Sequence, residues 1–137
     1  MGDLSGKSMV DIGCANGFFC EMFLKNGGNL SHGVEVNGEL REESKNIPYD
    51  GYSVYENIKE LDGVYDFALF LDLYFDSSVN EEYLHWLRQH AKVSFIAPSG
   101  DGRKNNQRLY DELIKIGYMV TPLEQTEYAH RMIYRCE

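Results

Sequence analysis

The 137-residue sequence is short of several things, and each shortage excludes a class of protein. No apolar run approaches the roughly 20 residues needed to cross a bilayer, so no membrane-spanning helix is expected. No secretory leader is evident, because Met1-Gly2-Asp3 leads almost at once into an apolar segment. Prolines number only three and the apolar fraction is 43%, which is ordinary for a globular chain and not for a disordered one. The three cysteines are an odd count, and Cys14, Cys20 and Cys136 lack metal-ligand spacing. They read as reduced thiols in a soluble, cytoplasmic protein, and no zinc site is expected. His32, His85, His90 and His130 are scattered and complete no metal motif.

Positive charge is also scarce. Thirteen basic residues face 22 acidic ones, a net charge of −9. Such a surface repels phosphate backbones, so a nucleic-acid partner is disfavoured. Arg103, Lys104 and Arg108, and the alternating Arg131 and Arg135, read as solvated charges on a helix face and a strand edge, a small basic patch being the alternative.

What is present is a regular alternation of strand and helix patterns over one expected domain, residues 1–137. Residues 8–12 form a first strand, and a helix follows from Gly17 to about Lys25, with Phe18 and Met22, and Phe19 and Phe23, repeating at a spacing of four. Asn26-Gly27-Gly28 ends it. Residues 30–36 form a second strand, 38–44 a polar helix, 52–55 a short third strand, and 57–61 a turn with one helical turn. The longest apolar run, 65–75, reads as a central strand buried on both faces. A helix over 80–89 follows, with Asn80 as its N-cap and Tyr83, Leu84 and Leu87 on its apolar face. Then come a fifth strand (92–97), a loop (98–102), a helix (104–116) with Leu109, Leu113 and Ile116 inward, and two final strands (118–124 and 129–136), antiparallel to each other. The pattern predicts an α/β fold: a doubly wound, mostly parallel seven-stranded sheet with an antiparallel final hairpin.

The chemistry concentrates at Met9-Val10-Asp11-Ile12-Gly13-Cys14-Ala15-Asn16-Gly17-Phe18, a buried strand that stops at a carboxylate, turns through glycines and opens a helix. Strand–turn–helix junctions of this kind bind nucleotides, because backbone N–H groups point outward and a missing Cβ admits the ligand. A nicotinamide fingerprint would need Gly-x-Gly-x-x-Gly, and the tight glycine pair is missing here. Asp11 would repel a diphosphate and suits a cationic ligand. Glu35, some two dozen residues on at the end of the second strand, stands where an acidic side chain accepts from both ribose hydroxyls.

The order Asp11, Gly13, Gly17 resembles the first motif of the class I S-adenosylmethionine-dependent methyltransferases, an acidic residue followed by Gly-x-x-x-Gly. The resemblance implies the Rossmann-like methyltransferase fold over nearly the whole chain, with S-adenosylmethionine as cofactor. It implies a cofactor site made by Asp11, Gly13, Cys14, Ala15, Asn16, Gly17 and Phe18, by Glu35 and Val36, by Asn57 meeting the adenine amino group with Ile58 packing on the ring, and by Asp72 and Leu73. Asp72, then Tyr74, are the candidate bases beside the transferable methyl. Three departures from the family matter. The Asn/Asp-Pro-Pro-Tyr/Phe signature of base methylases is absent, which together with the acidic charge argues against a base methylase; a small-molecule acceptor is expected. Phe75 or Asp76 stands where many small-molecule enzymes carry histidine. Only about seven residues precede the first strand, where relatives carry a helical lid. A homodimer or protein partner closing an open site is therefore expected, and a non-catalytic or partner-dependent binding module of the same fold is the alternative.

Overall fold

The computed structural model describes residues 2–74 and 79–137. The sheet has seven strands in the order β3-β2-β1-β4-β5-β7-β6, mostly parallel, with an antiparallel last hairpin. The strands are β1 (Ser8–Ile12), β2 (Leu30–Val34), β3 (Tyr52–Tyr55), β4 (Tyr65–Leu73), β5 (Ala91–Pro98), β6 (Val120–Gln125) and β7 (Met132–Cys136). The helices are α1 (Phe18–Lys25), α2 (Gly38–Ser44), α3 (Val79–His90) and α4 (Gly102–Ile116), with one 3₁₀ turn at Ile58–Glu60. The chain divides into two compact units between Ala68 and Leu69.

In the first unit β1 is an apolar ribbon: Met9, Val10 and Ile12 are all buried. Full burial of each such side chain stabilises the fold by about 1.5–3 kcal/mol. Asp11, inside that ribbon, is the one charged residue of the strand, and it too is buried. β2 runs parallel to β1 with Asp11 opposite Gly33 and Ile12 opposite Val34, and β3 is parallel to β2 with Val34 opposite Tyr55. This register brings the chain after β1 alongside the chain after β2. Helix α1 turns Cys20, Phe23 and Leu24 inward, an i, i+3, i+4 set. Of the aromatic and Met repeat anticipated there, only Phe23 is buried; Phe18, Phe19 and Met22 are exposed. Asn37 caps α2, its Oδ1 accepting from the backbone N–H groups of Glu39 and Leu40.

In the second unit β7 pairs antiparallel with both β5 and β6. Opposed residues share a face, so Ser94, Ile96, Tyr134 and Cys136 form one buried surface. Leu109 and Leu113 of α4 are buried as the spacing predicts, Ile116 only partly. Tyr118 ties the unit together, its hydroxyl donating to the Leu84 carbonyl of α3 at 2.9 Å.

Several boundaries differ from those anticipated. β2 stops at Val34, two residues early; the Glu35 N–H still donates to the Tyr55 carbonyl at 2.9 Å, while its carboxylate takes up the loop hydrogen bonds. β4 ends at Leu73, and Phe75 and Asp76 lie outside the described residues. α3 already includes Val79, so Asn80 lies inside the first turn and is not the cap. β7 begins at Met132, not Ala129, because Ala129 and His130 take left-handed backbone that cannot continue a strand.

Candidate functional site

The junction after β1 is a five-residue turn whose two glycines serve different needs. Gly13 has φ +74°, and a Cβ added there would meet nothing within 4 Å. Its side is open, as close approach of a ligand requires. Gly17 has φ +86°, and a Cβ there would lie 2.5 Å from Cδ1 of Ile47. That glycine is demanded by conformation, and the Ile47 tip would have to shift to admit a Cβ. Gly33, opposite Asp11, is demanded by space: its Cβ would fall 2.5 Å from Sγ of Cys14.

The turn's N–H groups do not point outward as expected. Gly13 and Cys14 both donate to the Val34 carbonyl (2.8 and 3.1 Å), Gly17 donates to the Cys14 carbonyl at 2.8 Å, and Ala15 donates to Oε2 of Glu35 at 2.9 Å. The other Glu35 oxygen, Oε1, accepts from Asn37 N–H at 2.8 Å. Glu35 therefore fastens the turn after β1 to the turn after β2. Each carboxylate oxygen keeps a second acceptor position, which leaves room for hydroxyl donors. Helix α1 starts at Gly17 without a side-chain cap, so its first turn supplies the unsatisfied donors of the junction.

Asp11 is only 3% exposed and Glu35 8%. Burial pushes the Asp11 carboxyl up to about 7, and the nearby negative charge of Glu35 adds to the rise. A cation seated beside the two acids would offset both the burial and the charge of Glu35 that oppose ionisation of Asp11.

The remaining residues proposed from sequence are distributed as follows. Asn16, Phe18 and Val36 are exposed around the turns. Asn57 caps the 3₁₀ turn: its Oδ1 accepts from Lys59 N–H at 2.9 Å, and Glu60 accepts from Asn57 N–H at 3.0 Å. This is a capping box. Ile58 is 1% exposed, a core side chain. Asp72, Leu73 and Tyr74 belong to the second unit. Leu73 is buried and Tyr74 is exposed. Asp72 forms an ion pair that sequence reasoning missed, its Oδ1 lying 3.2 Å from Nη1 of Arg131. The partners are 59 residues apart, and no local pattern signals them. Among the described residues no group of three or more His, Cys, Asp or Glu could hold a metal ion. No helix among them is long and apolar enough to cross a membrane.

This sheet order is the Rossmann-like α/β fold found in solved S-adenosylmethionine-dependent methyltransferases. Three solved structures illustrate the likeness. The ribosomal protein L11 methylase of Lactobacillus delbrueckii subsp. bulgaricus matches with a TM-score of 0.79 at 9% identity, over 99% of this chain and 72% of that one. The magnesium protoporphyrin IX methyltransferase of Synechocystis, solved with S-adenosylmethionine bound, matches at 0.78 and 16% identity, over 98% and 71%. A Haloferax volcanii complex between the Trm112 methyltransferase activator and a methyltransferase matches at 0.78 and 12% identity, over 99% and 83%. At such identities the likeness is one of fold. No family model and no curated protein matches the sequence.

Proposed function

We propose that this protein is an S-adenosylmethionine-dependent methyltransferase acting on a small-molecule acceptor. The observation that carries this reading is the buried Asp11–Glu35 acid pair beside the open flank of Gly13. The residues fit such a cofactor in each of its parts. Asp11 offers negative charge to a cationic amino-acid end, Glu35 offers acceptors to ribose hydroxyls, and Gly13 leaves the space a Cβ would fill. Cys14, Ala15, Asn16, Gly17 and Phe18 would border the ligand, with Val36 on the β2 side and Asn57 and Ile58 toward the adenine. The cofactor, when bound, supplies an electrophilic methyl group on a sulfonium whose charge is lost on transfer.

The chain's task is then to align the acceptor and exclude water. Asp72, Leu73 and Tyr74, at the carboxyl end of β4, are assigned to the acceptor side, the usual ligand edge of such sheets. Asp72 or Tyr74 would take a proton only if the acceptor arrives protonated, and Asp72 must first part from Arg131. A protein partner belongs to the same reading. Phe18, Phe19 and Met22 present exposed apolar surface on α1, and one similar structure is a complex with a methyltransferase activator.

The test is calorimetric titration of S-adenosylhomocysteine, followed by transfer of labelled methyl from S-adenosylmethionine to a pool of small metabolites. Binding by the native chain, its loss in Gly13→Val, and labelled product are expected. An absence of binding would refute the reading. Binding without transfer to any pool, with and without a cell extract, would refute catalysis and leave a binding module.

A further inference from the structure

The segment leading into β7 is held in a costly shape. Ala129 and His130 have φ of +58° and +50°, in the left-handed region that residues with a Cβ seldom adopt. Their surroundings impose it. Gly102 N–H donates to the Ala129 carbonyl at 2.6 Å, and Nδ2 of Asn106 and Nε2 of Gln125 donate to the His130 carbonyl at 2.9 and 3.0 Å. A Cβ on Gly102 would lie 1.9 Å from that same carbonyl oxygen, so α4 is pressed against the turn. Thr126 closes the other side: its N–H donates to the Arg131 carbonyl, and its hydroxyl oxygen accepts from Arg131 N–H.

The product of this bracing is the position of Arg131. Its guanidinium Nε donates to the Gly100 carbonyl at 2.9 Å and its Nη1 to Asp72 at 3.2 Å. Gly100 belongs to the loop after β5, and that loop is joined to the end of β4 by Ser99 N–H donating to the Leu73 carbonyl at 2.8 Å. Arg131 is thus fixed where the ends of β4 and β5 meet. Asp72 is mostly exposed, and an exposed ion pair contributes little to stability. The left-handed pair closes the connection between β6 and β7, where positive φ turns the chain back, and that turn sets Arg131 at this place.

We infer that Arg131 is an anion-recognition residue for the methyl acceptor, which carries a carboxylate, and that Asp72 occupies the guanidinium as an internal stand-in until that carboxylate replaces it. This inference rests on the methyltransferase reading. The planar guanidinium fork matches a carboxylate at two points, and Arg131 uses only two of its five donors among the described residues. On a chain of net charge −9, a braced cation is what an anionic acceptor requires.

The experiment follows the Nε–H signal of Arg131 in ¹⁵N-labelled protein during titration with succinate, both with and without saturating S-adenosylhomocysteine. A saturable shift with succinate and none with succinamide is expected. Arg131→Gln should abolish succinate binding while leaving S-adenosylhomocysteine affinity unchanged. Asp72→Asn, which removes the competing carboxylate, should tighten succinate binding by about two- to fivefold, the scale of an exposed ion pair. A shift that does not saturate, an equal response to succinamide, unaltered succinate binding in Arg131→Gln, or tighter binding of inorganic phosphate than of succinate would each overturn the assignment. Failure to bind S-adenosylhomocysteine would refute the methyltransferase reading instead, and the titration without it still decides whether Arg131 takes a carboxylate.

Discussion

Replacing Asp11 with asparagine should stabilise the protein while destroying its cofactor affinity, and the stabilisation should depend on pH in a defined way. Burial and the charge of Glu35 raise the Asp11 carboxyl from 3.8 to about 7. Below about pH 4 both the folded and the unfolded chain hold the proton, so the group makes no difference. Between about pH 4 and 7 the unfolded chain releases the proton while the folded chain keeps it. The folded state then binds more protons, and its stability falls by about 1.4 kcal/mol per pH unit. Above about pH 7 both states are ionised and the loss levels off at about 4 kcal/mol, a large share of the 5–15 kcal/mol typical of a domain. Asp11 is 3% exposed, so solvent offers it little relief. Asp11→Asn removes the titration. Urea unfolding of both proteins, followed by far-ultraviolet circular dichroism from pH 4 to 8, should give coincident stabilities at the acid end. The variant should gain steadily up to pH 7 and keep a constant lead beyond it. A stability difference that does not change with pH, or a variant less stable at pH 8, would refute the burial argument.

Glu35→Ala should weaken S-adenosylhomocysteine binding by about 1.5–3 kcal/mol, the scale of hydrogen bonds to a charged group; unchanged calorimetric affinity would show that the ribose lies elsewhere. Gly33→Ala should lower the unfolding midpoint by the equivalent of about 1–3 kcal/mol, a typical overpacking cost, since its Cβ would meet Sγ of Cys14 at 2.5 Å and Oη of Tyr52 at 3.1 Å. Adding Cys14→Ala should recover most of that loss, and no recovery would mean that the strain is not at the sulfur.

The parts of the fold that were legible in the sequence are those governed by local rules. Residues 38–44 and 52–55 read as α2 and β3 with the observed limits, because Asn37 is a strong cap and Tyr52–Tyr55 is aromatic and β-branched between turn residues. Gly13, Gly17 and Asp11 were legible because turn chemistry and a lone charge in an apolar strand both show in sequence. The inward direction of the turn's N–H groups was not, since it depends on the β1–β2 register that sets Val34 and Glu35 beside them. Asn57 looked the same whether it capped a turn or faced a ligand, and the capping box with Glu60 is visible only in three dimensions. Arg131 was visible only as a solvated charge or part of a small basic patch, and its placement was hidden for the same reason: it follows from contacts with Gly100 and Asp72, and from a bracing network that runs through α4.

Those inward N–H groups also discriminate between ligands of the junction. A dinucleotide site works by aiming loop amides at a diphosphate. Here the amides of Gly13, Cys14, Ala15 and Gly17 are all spent on internal acceptors, and the Ala15 amide is turned onto a carboxylate. A phosphate brought within about 4 Å of Glu35, or of Asp11 in its ionised form, would meet about 4 kcal/mol of repulsion per unit charge at an effective dielectric constant of about 20, and a cation would gain as much. The asymmetry grows with binding, because a seated cation also favours the ionised form of Asp11 that burial opposes. The turn's own amides and its two acids therefore oppose a phosphate and favour a cation, and the donors left for an anion are those of the first turn of α1.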